Sequence, residues 1–166
     1  MTRRIFAYAL TCALGLATHA ATAQGTSVAF GGLKHDSSLP VEITSDQLSV
    51  DQSTGKAVFE GNVLIGQGSM RLTAGKVDVI YGVEGSGNIS RLEATQGVTL
   101  TNGGEAVEAS SALYDLDSSS VVLTGNVLLT QGTNAISGDK MTIDLKTGVG
   151  MIDGRVKTIL QPGSNK

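Results

Sequence analysis

The sequence predicts an all-β protein made by stacking a short repeat, and three observations carry that prediction. The phrase VFEGNVLIGQG, which begins at Val58, returns as VVLTGNVLLTQG from Val121. Apolar and polar residues alternate with period two over short runs, and no helical i, i+3, i+4, i+7 apolar spacing persists beyond two turns. The 166 residues include 22 Gly, 2 Pro and no Trp, with Val, Ile, Leu, Ser and Thr prominent, a composition suited to many short strands separated by tight turns.

From the amino terminus, residues 1–23 read as a cleavable signal peptide. Arg3 and Arg4 precede an uncharged apolar run from Ile5 to Ala17, and Ala21-Thr22-Ala23 places small residues before a cleavage expected between Ala23 and Gln24. That run is too short to span a bilayer comfortably, and no later segment approaches the roughly 18 apolar residues a span needs. The mature protein is therefore expected to be exported and soluble. Cys12, the only cysteine, falls inside the signal, so stability is expected without disulfides. Residues 24–39, polar and Gly/Ser-rich, read as a mobile lead-in, residues 40–161 as one β domain, and residues 162–166 as a tail.

Within the domain, Val41 and Ile43 alternate with Glu42 and Thr44, and Val77, Val79 and Tyr81 with Asp78 and Ile80. Ala112, Tyr114 and Leu116 alternate with Leu113, Asp115 and Asp117, and Met141, Ile143 and Leu145 with Thr142, Asp144 and Lys146. Each run predicts a strand with one apolar face. Turn residues separate them at 51–55, 82–88, 102–104, 117–120 and 147–148. Aligning Gly61-Asn62-Val63 with Gly125-Asn126-Val127 also matches Gln67 with Gln131 and Lys76 with Lys140, and weaker copies stand at Gly97-Val98 and Gly154-Arg155-Val156. The unit is about 30 residues long, and four units call for stacking of layers over a single flat sheet. A glycine at each step is expected to let the chain bend where a side chain would collide with its neighbour.

Charge and chemistry exclude several function classes. Twelve Lys and Arg stand against 15 Asp and Glu, and loss of Arg3 and Arg4 with the signal makes the remainder more acidic, a poor match to a phosphate backbone. Nucleic acid is not expected as a partner. His35 is the only histidine after residue 23, so neither a zinc cluster nor a Ser/His/Asp set is available. The acids Asp46, Asp51, Asp115, Asp117, Asp139, Asp144 and Asp153 recur near strand ends, where turn chemistry accounts for them. Gly82 to Gly87 lacks the Gly-Lys-Ser/Thr ending of a phosphate-binding loop. No enzyme and no cofactor are expected. An exported structural β-solenoid with a dry core, and a periplasmic chaperone for another lipid or lipoprotein, remain open alternatives.

The phrases FEGNVLIGQGSMRLTAGKVDV, LTGNVLLTQGTNAISGDKMTID, VEITSDQLSVDQSTGKAVFEGNV and VEASSALYDLDSSSVVLTGNV resemble the periplasmic lipopolysaccharide transport protein A family, which carries the OstA-like domain. The resemblance covers Val41 to about Leu160; Ala74-Gly75-Lys76 lacks the acid that Gly138-Asp139-Lys140 keeps. It implies a twisted, open, V-shaped β-jellyroll whose apolar groove shelters the acyl chains of lipopolysaccharide (lipid A) in the periplasm. It also implies inner-membrane and outer-membrane partners that share the fold, and head-to-tail self-association. A cleavable signal and an end at Lys166 fit the soluble component of such a system. The expected groove residues are Val41, Ile43, Phe59, Val63, Leu72, Val79, Tyr81, Leu92, Tyr114, Leu116, Val127, Ile143 and Leu145. Docking by strand addition is expected at one edge formed by Val41, Glu42, Ile43, Thr44 and Ser45, and at another formed by Val156, Lys157, Thr158, Ile159 and Leu160.

Overall fold

Why the chain turns a corner at every repeat is visible in its backbone. The computed structural model describes residues 26–29, 31–51, 55–82 and 88–161; the expected signal, its cleavage at Ala23 and Gln24, and the tail 162–166 lie outside them. Among the described residues, thirteen antiparallel strands form one continuous sheet. They are β1 (Thr26–Ala29), β2 (Glu42–Thr44), β3 (Gln47–Asp51), β4 (Lys56–Gln67), β5 (Met70–Tyr81), β6 (Ile89–Thr95) and β7 (Val98–Asn102). Then follow β8 (Glu105–Ala109), β9 (Ser111–Asp115), β10 (Ser120–Gln131), β11 (Asn134–Asp144), β12 (Val149–Asp153) and β13 (Lys157–Ile159).

Four long strands change partners halfway. The first half of β4 pairs with β3 and its second half with β2; β5 leaves β7 for β6; β10 leaves β9 for β8; β11 leaves β13 for β12. The sheet is thereby folded into two layers. One runs β3-β4-β5-β6-β9-β10-β11-β12-β1, and the other β2-β4-β5-β7-β8-β10-β11-β13.

The fold between layers is made by pairs of residues with left-handed backbone: Gly61-Asn62, Gln96-Gly97, Gly125-Asn126 and Gly154-Arg155. The register of the β4–β5 and β10–β11 ladders slips between Glu60 and Val63 and between Thr124 and Val127, so Gly-Asn is an inserted bulge in each case. Gly takes φ of +76° and +83° at positions 61 and 125 without a Cβ penalty, and Asn is the side chain that best tolerates the next step. The repeated phrase is thus a repeated corner. At the first one, Asn62 Nδ2 donates to Asp46 Oδ2 at 2.8 Å, and Lys76 Nζ stands 3.9 Å from Glu60 and 3.6 Å from Asp78, where no acid occupies position 75.

Between the layers lies one apolar cluster, because period-two alternation turns one face of every strand inward. Buried positions alternate along β5 as Met70, Leu72 and Ala74, then resume as Val77 and Val79 after the corner at Gly75. Similar alternation holds for Val98, Leu100 and Asn102, for Glu105, Val107 and Ala109, and for Met141 and Ile143.

The lead-in departs from expectation. β1 pairs antiparallel with β12, a short 3-10 turn covers Gly31–Leu33, and Leu33 is only 1% exposed within the core. Residues 32–40 lie along the far ends of the strands, where backbone and side-chain hydrogen bonds fix them. A polar composition therefore did not make this stretch free of the fold.

At Gly125 an added Cβ would stand 2.7 Å from Ser110 Oγ in a left-handed backbone, whereas at Gly104 nothing lies within 4 Å. Gly125→Ala is expected to lower unfolding stability by about 1–3 kcal/mol, while Gly104→Ala stays within about 0.5 kcal/mol. Urea titration of both variants measures this, and equal midpoints would contradict the corner's role.

Candidate functional site: an apolar interior with two open ends and a polar seam

The interior gathers nearly every side chain expected to line a groove. Val63, Leu72, Val79, Leu92, Tyr114, Val127, Ile143 and Leu145 are buried in the single cluster, and Val41, Ile43, Phe59 and Leu116 pack against it partly buried. Tyr81, at the end of β5, is instead 43% exposed. Residues that pattern reading left out complete the interior, among them Leu33, Ile65, Met70, Leu100, Leu123, Leu129 and Met141. Ile65 and Leu129 could have been found, since each continues the alternation that begins at Val63 or Val127. Leu33 could not, because it stands alone in a Gly-rich stretch.

The two ends of the stack are strand edges. Of the expected edge Val41–Ser45, Glu42–Thr44 forms β2, the edge of one layer. The other layer ends in β3, which sequence reading missed; all five of its residues are exposed. Leu48 lies opposite Phe59 and Val50 opposite Ala57, so both project on the inward face, yet they are 54% and 59% exposed. The apolar interior thus continues to the end of the stack and is uncovered there. At the other end, Lys157–Ile159 within the expected edge Val156–Leu160 forms β13, which among the described residues pairs only with β11. The second layer at that end differs, because β1 already occupies the outer side of β12.

Opposite the corners, the far ends of the strands form a seam. His35, Gln67, Asn102, Glu105 and Ser119 are the buried polar side chains among the described residues, and every one stands on this seam against residues 32–40 or belongs to them. Gln67 Nε2 donates to the carbonyls of Ser37 at 3.0 Å and Leu39 at 2.8 Å, and Asn102 Nδ2 donates to the Lys34 carbonyl at 3.2 Å. The hydroxyls of Ser37 and Ser119 are 2.6 Å apart, and the His35 amide donates to the Leu145 carbonyl at 2.8 Å. Residues 32–40 therefore bond alternately to both layers and strap them together. The hold is imperfect: His35 Nε2 and Glu105 Oε2 are buried without a hydrogen-bond partner in the protein, a cost of about 1–3 kcal/mol each.

One direct bridge crosses the interior beneath the strap. Tyr114 Oη, from β9 of one layer, donates to Gln67 Oε1, from β4 of the other, at 2.7 Å. Burial pushes the Tyr114 phenol up to about 12, with the Gln67 hydrogen bond acting in the opposite sense. The acids near strand ends serve turns. Asp115 accepts from the Ser118 amide and hydroxyl, both at 2.8 Å, and from Arg91 Nε at 3.1 Å; the Ser118 amide foremost holds its carboxyl below the usual range. Asp144 is lowered likewise, foremost by the Thr147 amide. Among the described residues no cluster of three His, Cys, Asp or Glu could hold a metal, and no helix is long and apolar enough to cross a membrane.

A raised tyrosine pKa favours the folded state while the phenol is neutral. The Tyr114 contribution is present in full below about pH 10 and is lost as pH rises from about 10 towards about 12. Urea midpoints measured across that window are expected to fall more steeply in the wild type than in Tyr114→Phe. Parallel slopes would show that the phenol is not buried as described.

A family model described as "LptA/(LptD N-terminal domain) LPS transport protein" matches residues 42–149. The lipopolysaccharide export system protein LptA of Haemophilus influenzae is 34% identical over 141 residues, covering 78% of this chain and 81% of its own length. The same-named protein of Escherichia coli K12 is 36% identical over 116 residues, covering 67% of this chain and 63% of its own. A protein of Rhizobium meliloti described as uncharacterized is 35% identical over 161 residues, 91% of this chain and 87% of its own. In three dimensions the chain is similar to LptH, described as the LptA-homologous periplasmic component of the lipopolysaccharide transport device of Pseudomonas aeruginosa, with a TM-score of 0.68 and 19% identity. The likeness spans 76% of this chain and 99% of that one, and shows the β-jellyroll fold. The corners, strand pattern and sequence relatives together make this chain a member of the LptA/(LptD N-terminal domain) lipopolysaccharide transport family.

Proposed function

We propose that this chain is a periplasmic, non-enzymatic carrier in lipopolysaccharide export, which shelters the acyl chains of lipid A between its two layers. The observation that carries the proposal is the apolar interior that runs through every layer of strands and stays uncovered at the β3 end, at Leu48 and Val50. A lipid with several long chains cannot cross water unaided. One buried methylene is worth about 0.8 kcal/mol, so a twelve-carbon chain exposes on the order of 9 kcal/mol. Curated relatives named as lipopolysaccharide export proteins support the same cargo.

Transfer needs neighbours. Strand edges left open among the described residues at β2, β3 and β13 are hazards in a solitary protein and docking sites in a chain of like folds. Inner-membrane and outer-membrane components with the same jellyroll would add their strands at these edges, and a second copy of this chain would do so head to tail. The exported dry solenoid keeps one observation in its favour, the nearly complete burial of interior residues such as Leu100 and Ile143.

Leu116→Asp and Ile43→Asp test the choice, because each places a charge on the inward face at a partly buried position. Both variants are expected to retain β-sheet circular dichroism and to lose about tenfold or more in affinity for purified lipopolysaccharide. Wild-type affinity in two folded variants would favour the dry solenoid.

A further inference from the structure

We infer that residues 32–40 are a displaceable strap that stands in for the cargo, closing the seam of the carrier and leaving it when lipid enters from the side. The inference rests on the carrier reading above. Its first ground is position. Descending from Leu39 to Gly32, the strap meets Gln67 at the end of β4, Asn102 at the end of β7 and Glu105 at the start of β8, so it follows the seam from one layer of the stack to the next. On the other side, Ser37 reaches Ser119 and His35 reaches Leu145. An acyl chain entering sideways, at right angles to the strands, would have to pass between these two rows.

The second ground is the chemistry of the contact. An element meant to stay would bury apolar side chains, as the strands do. The strap places one, Leu33, into the core; its hydrogen bonds to Gln67, Asn102, Ser119 and the Leu145 carbonyl are to groups that water can satisfy once it leaves. Gln67, Asn102, Glu105 and Ser119 would then form a polar rim above an apolar trough, an arrangement suited to a lipid whose chains point inward and whose headgroup stays outside. Leu33 occupies space that an acyl chain could take over.

The third ground is the way the strap is anchored. Beyond it the chain ends its described course in the four residues of β1, paired antiparallel with β12 at an edge of the sheet. Short edge strands and segments with few buried apolar contacts open at lower free energy than a central ladder does. The strap can therefore leave with β1 while the corners and the long strands remain intact.

The test locks the strap. Ser37→Cys and Ser119→Cys replace two hydroxyls 2.6 Å apart, in protein prepared without residues 1–23, which removes Cys12, the only native thiol. With purified lipopolysaccharide as the probe, the oxidised protein is expected to bind about tenfold less or weaker, and dithiothreitol to restore binding to the wild-type level. Equal binding in both redox states overturns the strap and leaves the carrier in place. Absence of binding in the wild type as well as both redox states overturns strap and carrier together. Should the substitutions themselves abolish binding, hydrogen exchange in the wild type decides: lipopolysaccharide is expected to speed exchange of the His35 amide while the ladder amide of Leu100 stays protected, and an unchanged His35 amide overturns the strap.

Discussion

Everything in this molecule depends on four corners at which two successive residues adopt left-handed backbone. Gly61-Asn62, Gln96-Gly97, Gly125-Asn126 and Gly154-Arg155 bend the sheet along one line, so its layers share that line and diverge from it. Apolar faces then have a common interior, far ends have a common seam, and among the described residues the strands at either end of the stack have a neighbour on one side only. A flat sheet of the same strands would bury none of this surface. The energetic cost of the left-handed residues is small beside the burial they allow, because glycine and asparagine fill six of the eight positions.

An interior this complete poses a problem for a carrier, since a packed core has no room for a passenger. The seam reconciles the two demands. Its polar side chains and its single inserted leucine close the carrier with contacts that are weak one by one and replaceable by water. The Tyr114–Gln67 hydrogen bond couples the layers under the strap, so in the proposed strap mechanism opening at the surface and widening of the interior would meet at one residue, Gln67, which bonds to both strap and Tyr114. Edge strands complete the logic: β1 on β12 ties the strap to the end of the stack at which another jellyroll would dock.

Much of this was legible in the residues. The Gly-Asn-Val phrase marked the corners, and alternation at Val77-Val79, Ala112-Tyr114 and Met141-Ile143 marked the inward face, because both are local consequences of backbone geometry. The strap was not legible. Leu33 has no periodic neighbours, and the hydrogen bonds that hold Lys34, His35 and Ser37 reach residues 30 or more positions away in Gln67, Asn102, Ser119 and Leu145. The edge strand β3 was hidden for a related reason: Leu48 and Val50 alternate correctly, but whether a strand ends a sheet is decided by topology and not by its own residues. Tyr81 continues the period of Val77 and Val79 and still lies largely in water, since the β5–β6 register slips between Ile80 and Tyr81.

The most direct measurement is photo-crosslinking of purified lipopolysaccharide to a probe at Leu116, packed against the core, and to a second probe at the neighbouring exposed Asp117. Lipid held between the layers predicts crosslinks from position 116 and none from position 117. Folded protein that yields no crosslink at 116, or equal crosslinks at both positions, would contradict an apolar interior that carries lipid.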